Sequence, residues 1–183
     1  MDYRTFKDYK SIVWFFLMML FSCQSNFDDV QKIGVKSGAP LTIASNIDTE
    51  QTELGRLTTH LKSPLMNDFT NREMPYFEFP NGLYMVLFDE QNNENHISAD
   101  YGIAYNSTNL IDLRGDVKVA THTKDTLFAE QLYYDRSLNW IFTDLPVVFR
   151  TANEKISGTG FDSDKAFERA RVLKVTGTIT VEE

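Results

Sequence analysis

The chain has 183 residues, of which 13% are aromatic, so it is long enough for one domain with a sizeable apolar core. Its formal net charge of −8 argues against a nucleic-acid partner, because binding phosphates requires a basic face. The single cysteine rules out an internal disulfide bond, so packing alone must hold the domain together.

The first 22 residues have the pattern of a lipoprotein signal peptide. Basic residues precede an unbroken apolar run over residues 12–21. A run of this length fits the core of a signal peptide, about 7–15 residues, and is too short for a spanning helix, which needs about 20. The run ends in Leu20-Phe21-Ser22-Cys23, which resembles a bacterial lipobox. We therefore predict that Cys23 is acylated and begins the mature protein.

Three parts of the chain follow from this pattern. Residues 1–22 are the predicted signal peptide, and residues 23–39 form a polar tether that holds the remainder off a membrane. Residues 40–183 form the predicted β domain, whose first strand starts near Pro40.

Short alternating segments fill the first half of the predicted domain. Apolar and polar residues alternate over residues 41–47 and again over 55–62. A short aromatic strand over residues 76–79 ends at Asn81-Gly82, a strong hairpin signal. Residues 83–88 are apolar on both faces, so this strand is covered on both sides or lines a cavity.

The alternation becomes regular from His96 onward. Ile97, Ala99, Tyr101, Ile103 and Tyr105 are predicted to face one side of a sheet. Polar turns follow at residues 106–109, 123–125, 135–139, 152–154 and 162–165, and regular turns of this kind indicate a sandwich, barrel or jelly roll. A short helix over residues 164–171 is the one helical possibility after the leader.

One strand pattern recurs along the chain. Residues 113–119 place Leu113, Val117 and Val119 on one face and charged residues on the other. Similar sequence segments occupy residues 143–149 and 175–181. Successive copies are about 30 residues apart, a spacing typical of repeated supersecondary units. We interpret the domain as a stack of similar antiparallel hairpins.

No motif indicates an enzyme. The chain lacks a phosphate-binding loop, and His60, His96 and His122 lie too far apart in sequence to suggest a zinc site. Asp100 and Glu130 occupy matching repeat positions, but outward polar residues of a strand explain them better than a pair of catalytic carboxylates. We therefore expect no catalysis, no metal and no cofactor.

Several short sequence segments, taken in order, resemble those of the periplasmic lipopolysaccharide-transport protein C family (LptC). They are Ser98-Ala99-Asp100, Leu113-Arg114-Gly115-Asp116-Val117-Lys118-Val119, Leu132-Tyr133-Tyr134-Asp135, Ile141-Phe142-Thr143-Asp144-Leu145-Pro146-Val147 and Ile156-Ser157-Gly158-Thr159-Gly160-Phe161. The upstream Phe79-Pro80-Asn81-Gly82 also resembles the family's strand entry. The resemblance covers residues 46–181 and depends on the order and spacing of these segments taken together.

The resemblance implies a twisted, open antiparallel β-jelly roll without catalytic activity. It implies a protein at the periplasmic face of the inner membrane of a Gram-negative bacterium. Such a protein accepts lipopolysaccharide from an inner-membrane ABC transporter and passes it to a periplasmic bridge protein of similar fold. The bridge is joined edge to edge by strand addition. Many family members keep an uncleaved membrane helix, whereas this chain has an apparent lipobox.

Two sets of residues are candidates for this role. Inward apolar residues of the alternating strands are predicted to line a lipid groove: Ile103, Leu113, Val117, Val119, Ile141, Val147, Phe149, Val175 and Ile179. The last predicted strand, residues 173–181, is the expected partner edge, represented by Leu173, Val175, Thr178 and Val181. The alternative is a cell-surface lipoprotein whose jelly roll binds carbohydrate, which aromatic residues on the outer face would favour.

Overall fold

The computed structural model of the protein describes residues 38–176. These residues form one antiparallel sheet and contain no helix. The strands are β1 (Thr42–Glu53), β2 (Arg56–Asp68), β3 (Tyr76–Phe79), β4 (Leu83–Phe88), β5 (Glu94–Ala99), β6 (Tyr101–Tyr105), β7 (Leu110–Ala120), β8 (Thr126–Asp135), β9 (Trp140–Arg150), β10 (Lys155–Asp164) and β11 (Arg171–Val172). The predicted all-β, antiparallel fold is confirmed. Residues 165–170 form a turn rather than the short helix considered from the sequence.

The sheet is an antiparallel meander. β3 and β4 form one interrupted strand that pairs with β2, and β5 and β6 form a second one that pairs with β7. These two interrupted strands also pair with each other, β4 with β5 and β3 with β6. β7 to β11 then pair in chain order, and β1 pairs with β2. Each strand therefore finds its partners among its neighbours in sequence.

A line of irregularities, which we call the crease, crosses the strands. It runs through Asn46, Pro64, Gly82, Asp100, Gly115-Asp116, residues 130–131, residues 144–145 and Gly160, where the regular pairing of each strand is interrupted. Several of these residues have positive φ angles, including Gly82 at 83° and Gly115 at 73°. Extra residues of this kind bend and twist a strand, so the sheet turns at the crease.

The bent sheet encloses one apolar core. Side chains from both sides of the crease belong to it, for example Val119 and Leu127 on one side and Leu113 and Leu132 on the other. These four are 0% exposed. Each fully buried side chain of this size contributes about 1.5–3 kcal/mol to stability. The inner face of the sheet is therefore the hydrophobic interior of the domain.

The predicted orientation of Ile103 is wrong. Ala99 faces the core, but the bend at Asp100 shifts the alternation by one residue, so Ala104 is the next core side chain after Gly102. Ile103 pairs with Glu78 and Asp112, and these three side chains lie on the outer face. An inserted bulge residue reverses the faces of everything that follows it in a strand.

The C-terminal end of the described chain pairs only loosely. β11 comprises two residues, after which the amide of Leu173 donates to the carbonyl of Gly160 and Thr176 donates to Ser157. Val175 forms an isolated bridge with Gly158. This bridge puts Val175 in the same cross-strand row as Val117 and Val147. The sequence repeat instead aligned Val175 with Leu113, so Val175 does not lie at the position that the repeat gave it; residues 177–181 of the third copy lie outside the described part of the chain.

Candidate functional site

The structure brings most of the predicted groove residues together. Leu113, Val117, Val119, Ile141 and Val147 are all at most 3% exposed and share the single core. Phe149 is half-buried and packs against that core. Because these side chains contact one another, the interior at this position is filled rather than open.

The remaining predicted site residues lie elsewhere. Ile103 is on the outer face, as described above. Val175 and Leu173 are 52% and 42% exposed at the edge of the sheet. Four predicted site residues, Cys23, Thr178, Ile179 and Val181, lie outside the described part of the chain, so the acylation site and most of the predicted edge remain predictions.

An unfilled part of the interior lies beneath β1 and β2. It is a cavity of about 210 Å³ with a predominantly apolar wall. The residues that line it are Ile47, Thr49, Gln51, Thr59, Leu61, Met66, Phe77, Phe79, Met85, Ala104, Ile111, Tyr134 and Arg136. Binding pockets for small molecules are typically about 300–1,000 Å³, so a large ligand must widen this cavity to enter.

None of the cavity residues was among the predicted site residues. One sequence signal did point to them, since β4 is apolar on both faces and Met85 on this strand lines the cavity. β1 and β2 carry weaker patterns in which threonines alternate with apolar residues, and these gave no such signal. Arg136 follows β8 in a polar turn, which gave no indication that it meets β1 and β2.

Polar side chains surround the opening of the cavity. Thr49 and Gln51 line the cavity and are also exposed, so it reaches the surface along β1. Arg136 also lines the cavity and makes its side-chain hydrogen bonds at the exposed surface, and Thr59 pairs with Gln51 on the neighbouring strand. We call Thr49, Gln51, Thr59 and Arg136 the mouth of the cavity. An apolar pocket with a few convergent polar groups is the usual form of a binding site.

Tyr134 forms part of the cavity wall and remains uncharged. Burial raises the pKa of Tyr134 to about 12, and the negative charge of Glu53 acts in the same direction, whereas Arg136 opposes the shift. The phenol is 4% exposed and lies 3.3 Å from Oδ1 of Asn139, to which it donates. The wall therefore carries no negative charge at neutral pH.

Replacing Tyr134 by Phe should flatten the pH dependence of stability in alkaline solution. In the parent, the folded state keeps the phenol proton up to about pH 12, whereas the unfolded chain loses it near pH 10. Stability is therefore unaffected by this group below pH 10 and falls by about 2–3 kcal/mol as the pH rises to 12. Urea denaturation at several pH values measures this slope. An unchanged slope in the variant would show that Tyr134 titrates normally.

The outer face of the sheet carries a polar and aromatic network. The carboxylate of Asp112 is buried there and accepts hydrogen bonds from Arg114 and from Nε2 of Gln131. The ring of Tyr133 stacks on Phe142 with centroids 5.3 Å apart. Phe142 is 37% exposed. These outward aromatic side chains form a second, shallower candidate surface.

The described residues provide few other functional groups. No cluster of side chains within residues 38–176 is arranged to hold a metal ion. Asp100 and Glu130 line two separate clefts along the crease. In the same part of the chain there is no helix of the length and apolar character needed to cross a membrane.

Comparison with known proteins gives one result. A family model described as lipopolysaccharide-assembly, LptC-related, matches residues 11–180. No curated protein matches the chain. The matched range includes every strand described above and the residues that line the cavity.

Proposed function

From the premise that this chain belongs to the LptC-related family of lipopolysaccharide-assembly proteins, we propose that it carries lipopolysaccharide in its apolar interior. The observation that supports this role is the apolar inner face of the bent sheet, which continues into an unfilled cavity. Exposing an acyl chain to water costs about 0.8 kcal/mol per methylene, so a lipid carrier needs such a sheltered apolar surface.

The proposed role is that of a relay at the periplasmic face of the inner membrane. The protein accepts lipopolysaccharide from an inner-membrane ABC transporter and passes it to a bridge protein of the same fold. The sequence has no nucleotide-binding motif, so a partner supplies the energy for directed transport. No catalytic step is part of this role.

A lipid anchor on Cys23 holds the β domain at the membrane in this proposal. The basic start, the short apolar run and the cysteine at its end support the anchor. Residues 1–22 are then the signal peptide, 23–39 the tether and 40–183 the periplasmic domain. Metabolic labelling with a palmitate analogue tests this assignment. Label that persists on Cys23→Ala would refute it.

Photocrosslinking in living cells tests the carrier function. Photoreactive residues at Val117 and Val147, which point into the interior, should capture lipopolysaccharide as it passes. The same residues at Lys118 and Asp116 should capture little, because Lys118 is exposed on the outer face and Asp116 lies on the crease. Equal capture at all four positions would contradict an internal route. Asp116, Val117 and Lys118 are consecutive residues of β7, so the comparison among them depends on the direction in which each side chain points.

The C-terminal edge is the proposed docking site for the bridge protein. β11 ends the order of strands in the sheet, and Leu173 and Val175 are exposed beside it. An unpaired edge that is not covered favours pairing with another chain. Thr178→Pro removes one N–H from this segment and should weaken bridge binding. If the folded variant binds as tightly as the parent, the docking edge lies elsewhere, and β1 is the next candidate.

Carbohydrate binding by a surface lipoprotein is the second candidate function. The observation that favours it is the outer-face network, where the exposed ring of Phe142 lies beside hydrogen-bonded polar groups. Aromatic rings of this kind present an apolar face to a ligand. Binding to neutral oligosaccharides that is lost in Phe142→Ala would support this candidate. Lipopolysaccharide capture at Val117 that survives Phe142→Ala would favour transport.

A further inference from the structure

We propose that the mouth of the cavity is an anion site, in which Arg136 holds the acidic group of an amphiphile whose acyl chain enters the cavity. The acidic group is a phosphate or a carboxylate. This inference rests on the proposed function, because it concerns cargo in the same interior. It adds a recognition element that an apolar interior alone does not provide.

The lining of the cavity has an apolar part and a polar part. Its wall is formed by aliphatic and aromatic side chains such as Leu61, Met85 and Phe79. Four polar side chains form the mouth, and Arg136 is the one cationic group among the lining residues. A ligand that satisfies both regions has an apolar chain and a head group that attracts a guanidinium.

The guanidinium of Arg136 donates two hydrogen bonds, both to Asn109. Its Nε donates to the carbonyl oxygen of Asn109 at 3.3 Å, and its Nη2 donates to Oδ1 of Asn109 at 3.4 Å. Both acceptors are neutral and both bonds are long. By contrast, Arg171 makes two bonds of 2.8 Å to the carboxylate of Asp162. Within residues 38–176 no carboxylate forms a salt bridge with Arg136, so in this part of the chain only neutral oxygens accept from its guanidinium.

A guanidinium matches the proposed head group in charge and geometry. Arginine offers parallel N–H donors that fit the oxygens of a phosphate or a carboxylate. The neighbouring apolar wall strengthens such a bond relative to water. Gln51 and Thr59 add neutral polar groups at the same mouth. Two acids act on Tyr134 together with Arg136: Glu53, which is exposed beside Gln51, and Asp135. Oδ1 of Asp135 accepts the amides of Ser137 and Leu138.

Photoactivatable lipids test the proposal on the full chain in nanodiscs of phosphatidylcholine. Three probes share one diazirine-bearing twelve-carbon chain and end in a phosphate, a carboxylate or a neutral hydroxyl group. The measured quantity is the probe concentration that half-saturates crosslinking to peptides lining the cavity. We expect an acidic probe to reach half-saturation at roughly ten- to hundredfold lower concentration than the hydroxyl probe, the range expected for a hydrogen bond to a charged group.

Two variants assign this preference to Arg136. Arg136→Gln should abolish it, and Arg136→Glu should reverse it, while both keep the strand content seen by circular dichroism. Arg150→Gln is the matched control, because Arg150 is an exposed arginine that lies over Phe128 on the outer face. The control should retain the full preference.

The outcomes separate this inference from the proposed function. Equal crosslinking of all three probes in the cavity, or a preference that survives Arg136→Gln, would overturn the anion site and leave the apolar carrier intact. Absence of every probe from the cavity peptides would overturn both. A preference for the phosphate probe alone identifies a lipid phosphate, whereas equal preference for both acidic probes identifies acidic amphiphiles in general.

Discussion

Replacing Phe161 by Ala should lower the free energy of unfolding by about 4 kcal/mol. Phe161 heads the fully buried side chains of the domain by volume and is 0% exposed. Its ring packs against Phe149 and Phe167, with centroid distances of 5.9 and 6.3 Å. The truncation loses the free energy gained by burying the ring. It also leaves a cavity that the surrounding strands cannot close. Urea denaturation of the parent and the variant measures the difference.

Phe142→Ala is the matched control for this prediction. It makes the same chemical change on the neighbouring strand, but Phe142 is 37% exposed on the outer face. Its stacking on Tyr133 gives an expected loss of about 1 kcal/mol. Equal losses for the two variants would show that the inner face is no better packed than the outer one, and this would contradict the core described here.

Replacing Gly82 by Ala should have an effect of similar size, about 4 kcal/mol. Gly82 has a φ of 83°, a conformation that costs an L-residue roughly 1–2 kcal/mol. In addition, a Cβ at this position would lie 2.7 Å from the carbonyl oxygen of Ala99. That oxygen belongs to the backbone of β5, which pairs with β4. The close contact can be relieved only if these two strands separate at the crease, which adds to the loss of stability.

Gly55 provides a control that separates strain from contact. It has nearly the same φ, 79°, but a Cβ there would meet no atom within 4 Å. Gly55→Ala should therefore cost only the conformational part, about 1 kcal/mol. Thermal or urea unfolding of both variants gives the comparison. If the Gly82 and Gly55 variants lose the same stability, the close approach at the crease has no energetic consequence.

Much of the sheet was predictable from alternation alone. The strand that contains Leu113, Val117 and Val119 has its apolar face buried as expected, and Ile141 and Val147 follow the same rule. These strands keep their phase across the crease, because the irregular residues there leave the odd-numbered positions facing inward. Alternation is reliable where an interruption leaves that phase unchanged.

Ile103 shows where the same rule fails. The bend at Asp100 adds one residue, and nothing in the composition of residues 97–105 reveals on which side of the bend the phase changes. The paired strand explains the position of the bend, since the amide of Asp100 donates to the carbonyl of Gly115. A bulge is thus set by two strands together, and a single segment does not encode it.

The cavity could not be predicted because the residues that line it are far apart in the sequence. Leu61 and Tyr134 are far apart in sequence and line the same cavity because the bent sheet brings β2 to the end of β8. Local patterns identify which side chains face inward, but they do not reveal which inward side chains lie opposite one another across the interior. For the same reason Arg136 could be assigned to a turn but not to the mouth of a cavity.

The meander also has a consequence for how the protein folds. Because each strand pairs with neighbours in sequence, the pairing contacts are local for an all-β protein, and such contacts favour rapid folding. The hairpins can form one after another before the interior closes. Closure of the interior brings Leu61 and Tyr134 to the same cavity. It costs the entropy of closing a much longer loop, so this step should come last. Stopped-flow refolding should then show Tyr134→Phe affecting the unfolding rate more than the folding rate.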